Sequence, residues 1–283
     1  MKSFSILTLL SILTFPLQSQ IINGKIIDSS TEKPLEYAGI GILGTPIGSI
    51  TDDTGNFTIN VNGQSDSEIV RISMISYLSQ TLTIKELKSN KTSIKLIPTH
   101  IQLSEVIVNP AGKQKDIGTT NYTKLGGICG WGGNQKGIGH EIGTELKLGT
   151  TPVQIKNLHA RLYKQSFDSS LFRLHIRSIV NGLPQDELLK ENILLTITEN
   201  SGWIDLDLRK YNLVLSGDIA LSLEWVNVIG TNNKLIKVNG KEGLNVLFNI
   251  KKDSGCTFRK WGVESSWKRM DNGSPSFYLT VLE

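Results

Sequence analysis

The chain has 283 residues, of which 39% are hydrophobic and 20% are charged, enough for one large or two ordinary globular domains. Its formal net charge of +4 is a mild excess spread along the chain. Nucleic-acid partners favour concentrated basic patches, so this charge argues against a nucleic-acid-binding protein.

The first 20 residues have the layout of a secretory signal peptide. Lys2 precedes an apolar run from Phe4 to Phe15, and a proline and small polar residues follow. This run is too short for a membrane helix, and no other segment reaches the roughly 20 apolar residues that such a helix needs. We therefore predict a signal peptide at 1–20 and an exported protein without a transmembrane span, located in the periplasm, at the outer-membrane surface or in the medium.

Short β-rich runs follow, separated by Gly, Pro, Asp and Ser at about ten-residue spacing, which is typical of a β-sandwich. No helix is predicted here. Within 48–61, the alternation of apolar and polar residues from Phe57 to Val61 predicts one arm of a hairpin. Asp52 and Gly55 suit the turn of this hairpin, and the lack of further ligands disfavours a calcium loop.

Several stretches of this segment resemble the carboxypeptidase regulatory-like domain, a transthyretin-like β-sandwich. They are GKIID at 24–28, PLEYA at 34–38, GT at 44–45, GSITD at 48–52 and GNF at 55–57. ISMISYLSQTLTI at 72–84 and LSEVIV at 103–108 are similar to a form of that domain common in exported proteins of Gram-negative envelopes. There the domain often precedes the plug of TonB-dependent receptors.

The resemblance implies a non-catalytic accessory domain at 21–108. A TonB-dependent receptor needs a barrel of about 22 strands of roughly ten residues each, more than the rest of this chain provides. A zinc carboxypeptidase is excluded by its ligands, because none of the four histidines begins a metal-spaced motif. These histidines are His100, His140, His159 and His175. We expect no metal and no cofactor.

The second half of the chain continues in β. After a predicted linker at 109–125, nine runs with turn signals between them predict a second, larger sandwich at 126–283, jelly-roll-like in form. The predicted strands are 145–148, 153–163, 171–180, 193–198, 203–208, 218–228, 245–250, 257–261 and 276–282. Only PQDELLKEN at 184–192 has a helix-like composition, for a turn or two. The C-terminal half resembles uncharacterised domains that follow the regulatory-like domain.

The chain has two cysteines, Cys129 and Cys256. In an exported protein they could form one disulfide, and the alternative is two buried thiols.

Two alternating runs carry the first candidate binding residues. In NLHARLY, His159 and Arg161 alternate with apolar residues, and in FRLHIRS, Arg173, His175 and Arg177 do so. If KQSFDSS joins these strands as a hairpin, the outer face gathers an anion-binding patch for an acidic glycan or a partner protein. The alternative is a solvated face that a neighbouring strand neutralises.

The run GWIDLDL gives the second group. Trp203, Asp205 and Asp207 share one face of a predicted strand, and an aromatic ring beside carboxylates suits a sugar ring and its hydroxyls. The alternative is that Trp203 covers the end of the sandwich. Trp225 has the parity of neighbouring core residues and is predicted to pack.

We predict from these features a non-enzymatic binding or interaction protein of the bacterial cell envelope, whose partner is a glycan or another envelope protein. No phosphate-loop or G-x-S-x-G pattern occurs in the chain, which argues against an enzyme. The alternatives are a hydrolase that acts on polysaccharide and a structural partner of a separate outer-membrane transporter.

Overall fold

The computed structural model describes residues 20–89, 93–99, 112–124, 127–132, 137–230 and 235–283. The predicted signal peptide, apart from Gln20, and the LSEVIV stretch at 103–108 lie outside these ranges. In the described ranges the chain is almost entirely β, which confirms the all-β sandwich prediction.

The N-terminal domain contains two four-stranded sheets. Sheet 1 has the strand order β4-β1-β8-β6 and sheet 2 the order β3-β2-β5-β7. The elements are β1 (Ile21–Asp28), β2 (Gly39–Ile42), β3 (Gly48–Ile50), β4 (Asn56–Asn60), β5 (Ile69–Ser73), β6 (Tyr77–Leu78), β7 (Gln80–Thr83), α1 (Ile84–Ser89) and β8 (Ile94–Pro98). Their apolar faces enclose one core, in which Phe57 and Ile59 of β4 are buried while Thr58 and Asn60 are exposed, as period-2 alternation requires.

The predicted hairpin at 48–61 is wrong, although its turn is right. β3 pairs with β2 and β4 pairs with β1, so the turn carries the chain from one sheet to the other. Asp52 Oδ1 accepts hydrogen bonds from the backbone N–H groups of Thr54 and Asn56 at 2.9 and 2.8 Å. Gly55 has φ +78°, which glycine adopts at little cost. Asp52 thus has a structural role in the turn.

The short helix α1 was not predicted from the sequence. Thr83 Oγ1 accepts from the N–H of Glu86 at 3.1 Å, and the Glu86 carboxylate accepts from the N–H of Thr83 at 2.7 Å. This reciprocal pair is a capping box, which begins helices. Ile84 and Leu87 are the buried side of this short helix.

The C-terminal domain contains two large sheets face to face. Sheet 3 has the order β10-β21-β12-β25-β9, with β16 and β17 also on β12 and β24 on β21; sheet 4 has the order β14-β13-β18-β11-β22-β23, with β15 on β13. The strands are β9 (Gln114–Gly118), β10 (Ile128–Gly132), β11 (His140–Lys147), β12 (Val153–Gln165), β13 (Ser169–Val180), β14 (Leu183–Glu187), β15 (Leu194–Ile197), β16 (Gly202–Asp207), β17 (Val214–Leu215), β18 (Asp218–Ile229), β19 (Ile236–Val238), β20 (Lys241–Gly243), β21 (Asn245–Lys252), β22 (Thr257–Trp261), β23 (Lys268–Met270), β24 (Gly273–Pro275) and β25 (Phe277–Leu282). A 3-10 turn spans Arg209–Tyr211, and β19 and β20 form a separate ribbon.

Each of the nine strands predicted in this half overlaps an observed strand, but two other predictions need correction. Part of the predicted linker at 109–125 is a strand, because β9 pairs along β25 and extends sheet 3. The helix predicted within 184–192 is instead strand β14, which pairs with β13. Asn181 and Gly182 lie between them with φ of +53° and +75°, as a tight hairpin turn requires.

Aromatic side chains dominate the core between sheets 3 and 4. Trp131, Phe172, Trp225, Phe248 and Phe277 are each 0–1% exposed. The Trp131 ring lies 5.1 Å from that of Phe172 and 5.6 Å from that of Phe248. Such pairs add to the free energy of area burial. The prediction that Trp225 packs in the core is confirmed.

Cys129 and Cys256 are both buried and free, so the structure has the two separate thiols and not the disulfide. Cys129 belongs to β10 of sheet 3, whereas Cys256 adjoins β22 of sheet 4. Burial raises the pKa of the Cys129 thiol to about 12.

The N-terminal domain packs against sheet 4. A Cβ atom on Gly39 would lie 2.5 Å from Val263 Cγ1, so only glycine allows this approach. The N–H of Gly44 donates to the carbonyl of Glu264 at 2.9 Å, and Ser73 Oγ donates to the Glu264 carboxylate at 2.9 Å. Ile75 joins the core cluster of the C-terminal domain. The two domains therefore share a close interface.

Candidate functional site

The residues predicted as a binding site lie in two separate places. KQSFDSS does not close a hairpin, because β12 belongs to sheet 3 and β13 to sheet 4. The predicted alternation is nevertheless correct: Leu158 on β12 and Leu174 on β13 point into the shared core. Their polar neighbours therefore lie on opposite outer faces of the sandwich, and the single predicted anion-binding patch is wrong.

The outer face of sheet 3 carries a continuous row of polar side chains, which we call the outer row: Asp205, His159, Thr280 and Asp116. Asp205 on β16 contacts His159 Nδ1 on β12. His159 Nε2 lies 2.9 Å from Thr280 Oγ1 on β25, and Thr280 Oγ1 donates to Asp116 Oδ1 on β9 at 2.7 Å. The row therefore crosses four strands, and its Asp205 end is exposed.

Two aromatic rings lie beside the outer row. The Tyr278 ring stacks on the His159 ring at 4.2 Å with an interplanar angle of 10°. The Trp203 ring meets Tyr278 edge to face at 5.3 Å. Both aromatic side chains are half-buried, so each keeps a surface open to solvent. This combination of ring faces and directed polar groups is the chemistry that carbohydrates require.

Arg161 and Asp207 complete this face but differ in their pairing. Arg161 lies opposite Trp203 in the ladder, and its guanidinium lies 5.9 Å from the Trp203 ring and 4.8 Å from the Tyr122 ring. Asp207 is occupied by Arg209, whose side chain donates to both carboxylate oxygens at 2.9 and 3.0 Å. These hydrogen bonds from Arg209 lower the pKa of Asp207 to about 2. Asp207 is thus engaged locally, whereas the contacts of the Arg161 guanidinium described above are with aromatic rings.

The order Asp205–His159–Thr280 resembles that of a catalytic triad, but the hydroxyl is placed unlike a nucleophile. Thr280 is 7% exposed. It donates its only proton to Asp116, so His159 Nε2 must be the donor in its contact with Thr280 Oγ1. A general base needs an unprotonated nitrogen facing the nucleophile. Thr280 Oγ1 is therefore not paired with a general base in this arrangement.

The second group belongs to a buried cluster on the outer face of sheet 4, which we call the ion cluster. Its members are Glu141, Arg173, His175, Arg177, Glu187 and Glu224. Arg173 donates to Glu224 at 2.9 Å, and His175 lies 2.6 Å from Glu187 and 3.1 Å from Glu224. Arg177 contacts Glu141. Three basic side chains thus face three carboxylates, which neutralises the repulsion that buried like charges would cause.

Burial and pairing shift the pKa values of the ion cluster in opposite directions for acids and base. Burial alone would raise the pKa of Glu141, but Arg177, with His175 and Lys260, lowers it to about 2. Burial and Arg177 act to lower the pKa of His175, yet the carboxylates of Glu141 and Glu187 raise it above its usual value. The charged forms of Glu141 and His175 are therefore favoured.

The N-terminal domain packs beside the ion cluster and contacts it through Arg173. Arg173 donates to the carbonyl of Tyr37, and Ser76 Oγ donates to the carbonyl of Lys190, so both bonds cross between domains. A cleft of about 540 Å³ remains between the domains, and it is lined by all six members of the ion cluster together with Arg71, Lys260 and Trp267 among others. Because the charges of the ion cluster satisfy one another, its perturbed pKa values have a structural explanation. We assign the ion cluster a structural role in sheet 4, with Arg173 as its contact to the N-terminal domain.

Several residues of the outer face of sheet 3 and of the ion cluster were not predicted from the sequence. Tyr278 and Thr280 lie on one face of β25, and their alternation with Leu279 and Val281 was a signal for it. Glu224 has the opposite parity to Trp225, which places it on the outer face of β18. Nothing in the local pattern indicates Tyr122, because it lies in a loop.

Within the ranges that the structure describes, no helix is long and apolar enough to cross a membrane. In the same ranges, no group of three or more His, Cys, Asp or Glu side chains is arranged to hold a metal ion.

Comparison with known families identifies the N-terminal domain. Residues 22–108 match the family model of the CarboxypepD_reg-like domain, which confirms the resemblance of the N-terminal part that was read from the sequence. A search of curated proteins found no match.

Comparison with solved structures gives only distant likenesses. The cysteine protease and lectin-like domains of Cwp84, a surface layer associated protein of Clostridium difficile, are similar at 10% identity and a TM-score of 0.39. That likeness covers 93% of this chain and 58% of the other. The infectious bursal disease virus VP2 subviral particle is similar at 7% identity and a TM-score of 0.22, over 92% of this chain and 63% of the other. At these scores neither likeness bears on function.

Proposed function

We propose that this protein is an exported, non-enzymatic binding protein of the bacterial cell envelope, and that it binds carbohydrate on the outer face of sheet 3. The observation that carries the proposal is the placement of Trp203 and Tyr278 beside the outer row. Their rings offer apolar surface to the face of a sugar, and Asp205 offers exposed acceptor oxygens to its hydroxyls.

The rigidity of this face supports the proposal. Trp203, His159 and Tyr278 come from three adjacent strands, β16, β12 and β25, that are hydrogen-bonded to one another in register. Their positions are therefore fixed by backbone ladders and not by loops. A preformed surface loses little conformational entropy when it binds.

The N-terminal domain supports the envelope assignment. The predicted signal peptide precedes it, and the resemblance implies an accessory domain of exported proteins. Its docking through Arg173 and Glu264 would hold the C-terminal sandwich at a fixed orientation, with the outer face of sheet 3 pointing away from the interface. In this arrangement the N-terminal domain is a spacer or a docking unit towards another envelope protein.

The test is co-sedimentation of purified residues 21–283 with insoluble polysaccharides, including cellulose, chitin and peptidoglycan sacculi. We expect depletion of the wild-type protein by at least one of them, and loss of depletion in Trp203→Ala. The matched control is Trp267→Ala, which removes a half-buried tryptophan from the interdomain cleft. Equal binding by wild type and Trp203→Ala would contradict the proposed surface.

The same samples test the two alternatives. Release of reducing sugar from any of these polysaccharides by the wild-type protein would favour the hydrolase. Failure of folded wild-type protein to bind any polysaccharide, with capture of an envelope transporter by the chain, would favour the structural partner.

A further inference from the structure

Arg161 is held differently from the other arginines in the described part of the chain. Its guanidinium lies 4.8 Å from the Tyr122 ring centroid and 5.9 Å from the Trp203 ring centroid. Contact with two rings keeps the planar group at a fixed place on the outer face of sheet 3. Arg161 is therefore a preoriented cation beside the proposed carbohydrate surface.

Among the residues that the structure describes, one nitrogen of this guanidinium lacks the acceptor that arginine normally finds. Arg161 Nε is buried and has no hydrogen-bond partner. Within the described ranges, each of the other six arginines contacts a carboxylate or a carbonyl oxygen. These are Arg71, Arg173, Arg177, Arg209, Arg259 and Arg269. A buried donor without an acceptor is unfavourable. Because Arg161 as a whole is half-buried, the terminal nitrogens of its guanidinium are the ones that can bind an anion from solvent.

The surroundings of Arg161 restrict what kind of anion fits. Trp203 faces Arg161 across the ladder, and Asp205 lies two positions further along β16. At strand spacing, the backbone positions of Trp203 and Asp205 are about 7 Å apart. The Asp205 and Asp116 side chains are exposed carboxylates that repel a densely charged polyanion. A single anionic group joined to a hydroxyl-bearing ring matches both ends, since its charge reaches Arg161 while its hydroxyls reach Asp205.

We infer that the ligand of this surface is an acidic saccharide, whose anionic group binds the Arg161 guanidinium between Tyr122 and Trp203. This inference rests on the proposed function and adds the charge of the substrate to it. Arg161 is then the residue that selects acidic over neutral sugars, and Trp203 and Tyr278 contribute to the binding of both.

The test is a glycan array that contains matched neutral and acidic members, such as lactose with 3′-sialyllactose and galactose oligomers with galacturonic acid oligomers, followed by calorimetry of the best pair. We expect the wild-type protein to bind the acidic member at least about tenfold more tightly at low salt, as a charge-assisted hydrogen bond allows. High salt should reduce that preference. Arg161→Gln should bind both members about equally.

Two further variants complete the test. Arg161→Lys keeps the charge without the planar donors and should show an intermediate preference for the acidic member. This variant provides the test if Arg161→Gln does not fold. Arg71→Gln, in the interdomain cleft, should leave the preference unchanged. Equal binding of both members by wild type, or an acidic preference that persists in Arg161→Gln, would overturn the inference and leave carbohydrate binding intact. Binding of no glycan would overturn the proposed function as well.

Discussion

Replacement of His175 by glutamine should destabilise the protein in a pH-dependent way. The His175 side chain is 7% exposed and contacts the carboxylates of Glu187 and Glu224 with its two ring nitrogens. Glutamine is neutral, so three carboxylates of the ion cluster would face only two guanidinium groups. Breaking a buried ion pair costs about 3–5 kcal/mol of unfolding free energy. The lower value applies here, because Glu224 retains its ion pair with Arg173 and Glu187 retains its ion pair with Arg177.

The sign of the pH dependence follows from the raised pKa of His175. The stabilising effect of this group is complete below its unfolded-state pKa of about 6.5 and is lost as pH rises through the higher folded-state value. The facing carboxylates have lowered pKa values, so they stay ionised throughout the range from pH 5 to 9. The difference between wild type and His175→Gln should therefore be about 3 kcal/mol near pH 5.5 and should shrink towards pH 9.

The measurement is urea-induced unfolding at several pH values, followed by tryptophan fluorescence. His159→Gln is the matched control, because His159 also contacts a carboxylate, that of Asp205. The Asp205 side chain is 62% exposed, whereas the partners of His175 are largely buried. Exposed pairs contribute less than about 1 kcal/mol. A cost for His175→Gln that does not vary with pH, or that is no larger than the cost for His159→Gln, would refute the account of the ion cluster.

Three further results are expected. Gly39→Leu should separate the domains, because its side chain would meet Val263, and small-angle X-ray scattering should show a larger radius of gyration than that of wild type. Thr51→Val should cost about 1–3 kcal/mol of unfolding free energy in urea, since the buried Thr51 hydroxyl accepts from the N–H of Ala38 at 2.8 Å and donates to the Leu35 carbonyl. Alkylation of the unreduced protein should modify Cys129 and Cys256 rapidly in denaturant and slowly in the native state, and a mass that shows no modification in denaturant would indicate a disulfide instead.

Local patterns predicted the strands because burial in a sandwich alternates with every residue. Leu158, Leu174 and their neighbours on β12 and β13 follow this rule, and all nine predicted strands of the second half overlap observed ones. The pattern could not show that β12 and β13 belong to different sheets, because a strand alternates in the same way whichever sheet contains it. The same limit explains the wrong hairpin at 48–61.

The candidate site was predicted in part for related reasons. Trp203, Asp205, His159 and Arg161 do meet, since the face of each strand follows from parity and β12 pairs with β16. Arg173 and His175 were also placed on an outer face, but parity in one strand cannot reveal that another domain packs beside that face. The partners that neutralise them, such as Glu224, come from distant segments and appear only once the sheet is assembled.

The most direct test of the central claim is a glycan array probed in parallel with wild-type residues 21–283, Trp203→Ala and Trp267→Ala. Trp203 lies beside the outer row, and Trp267 lines the interdomain cleft. The account predicts glycan binding by wild type and Trp267→Ala, and at least about tenfold weaker binding by Trp203→Ala. Loss of binding in Trp267→Ala with binding retained in Trp203→Ala would place the site in the cleft and contradict the account.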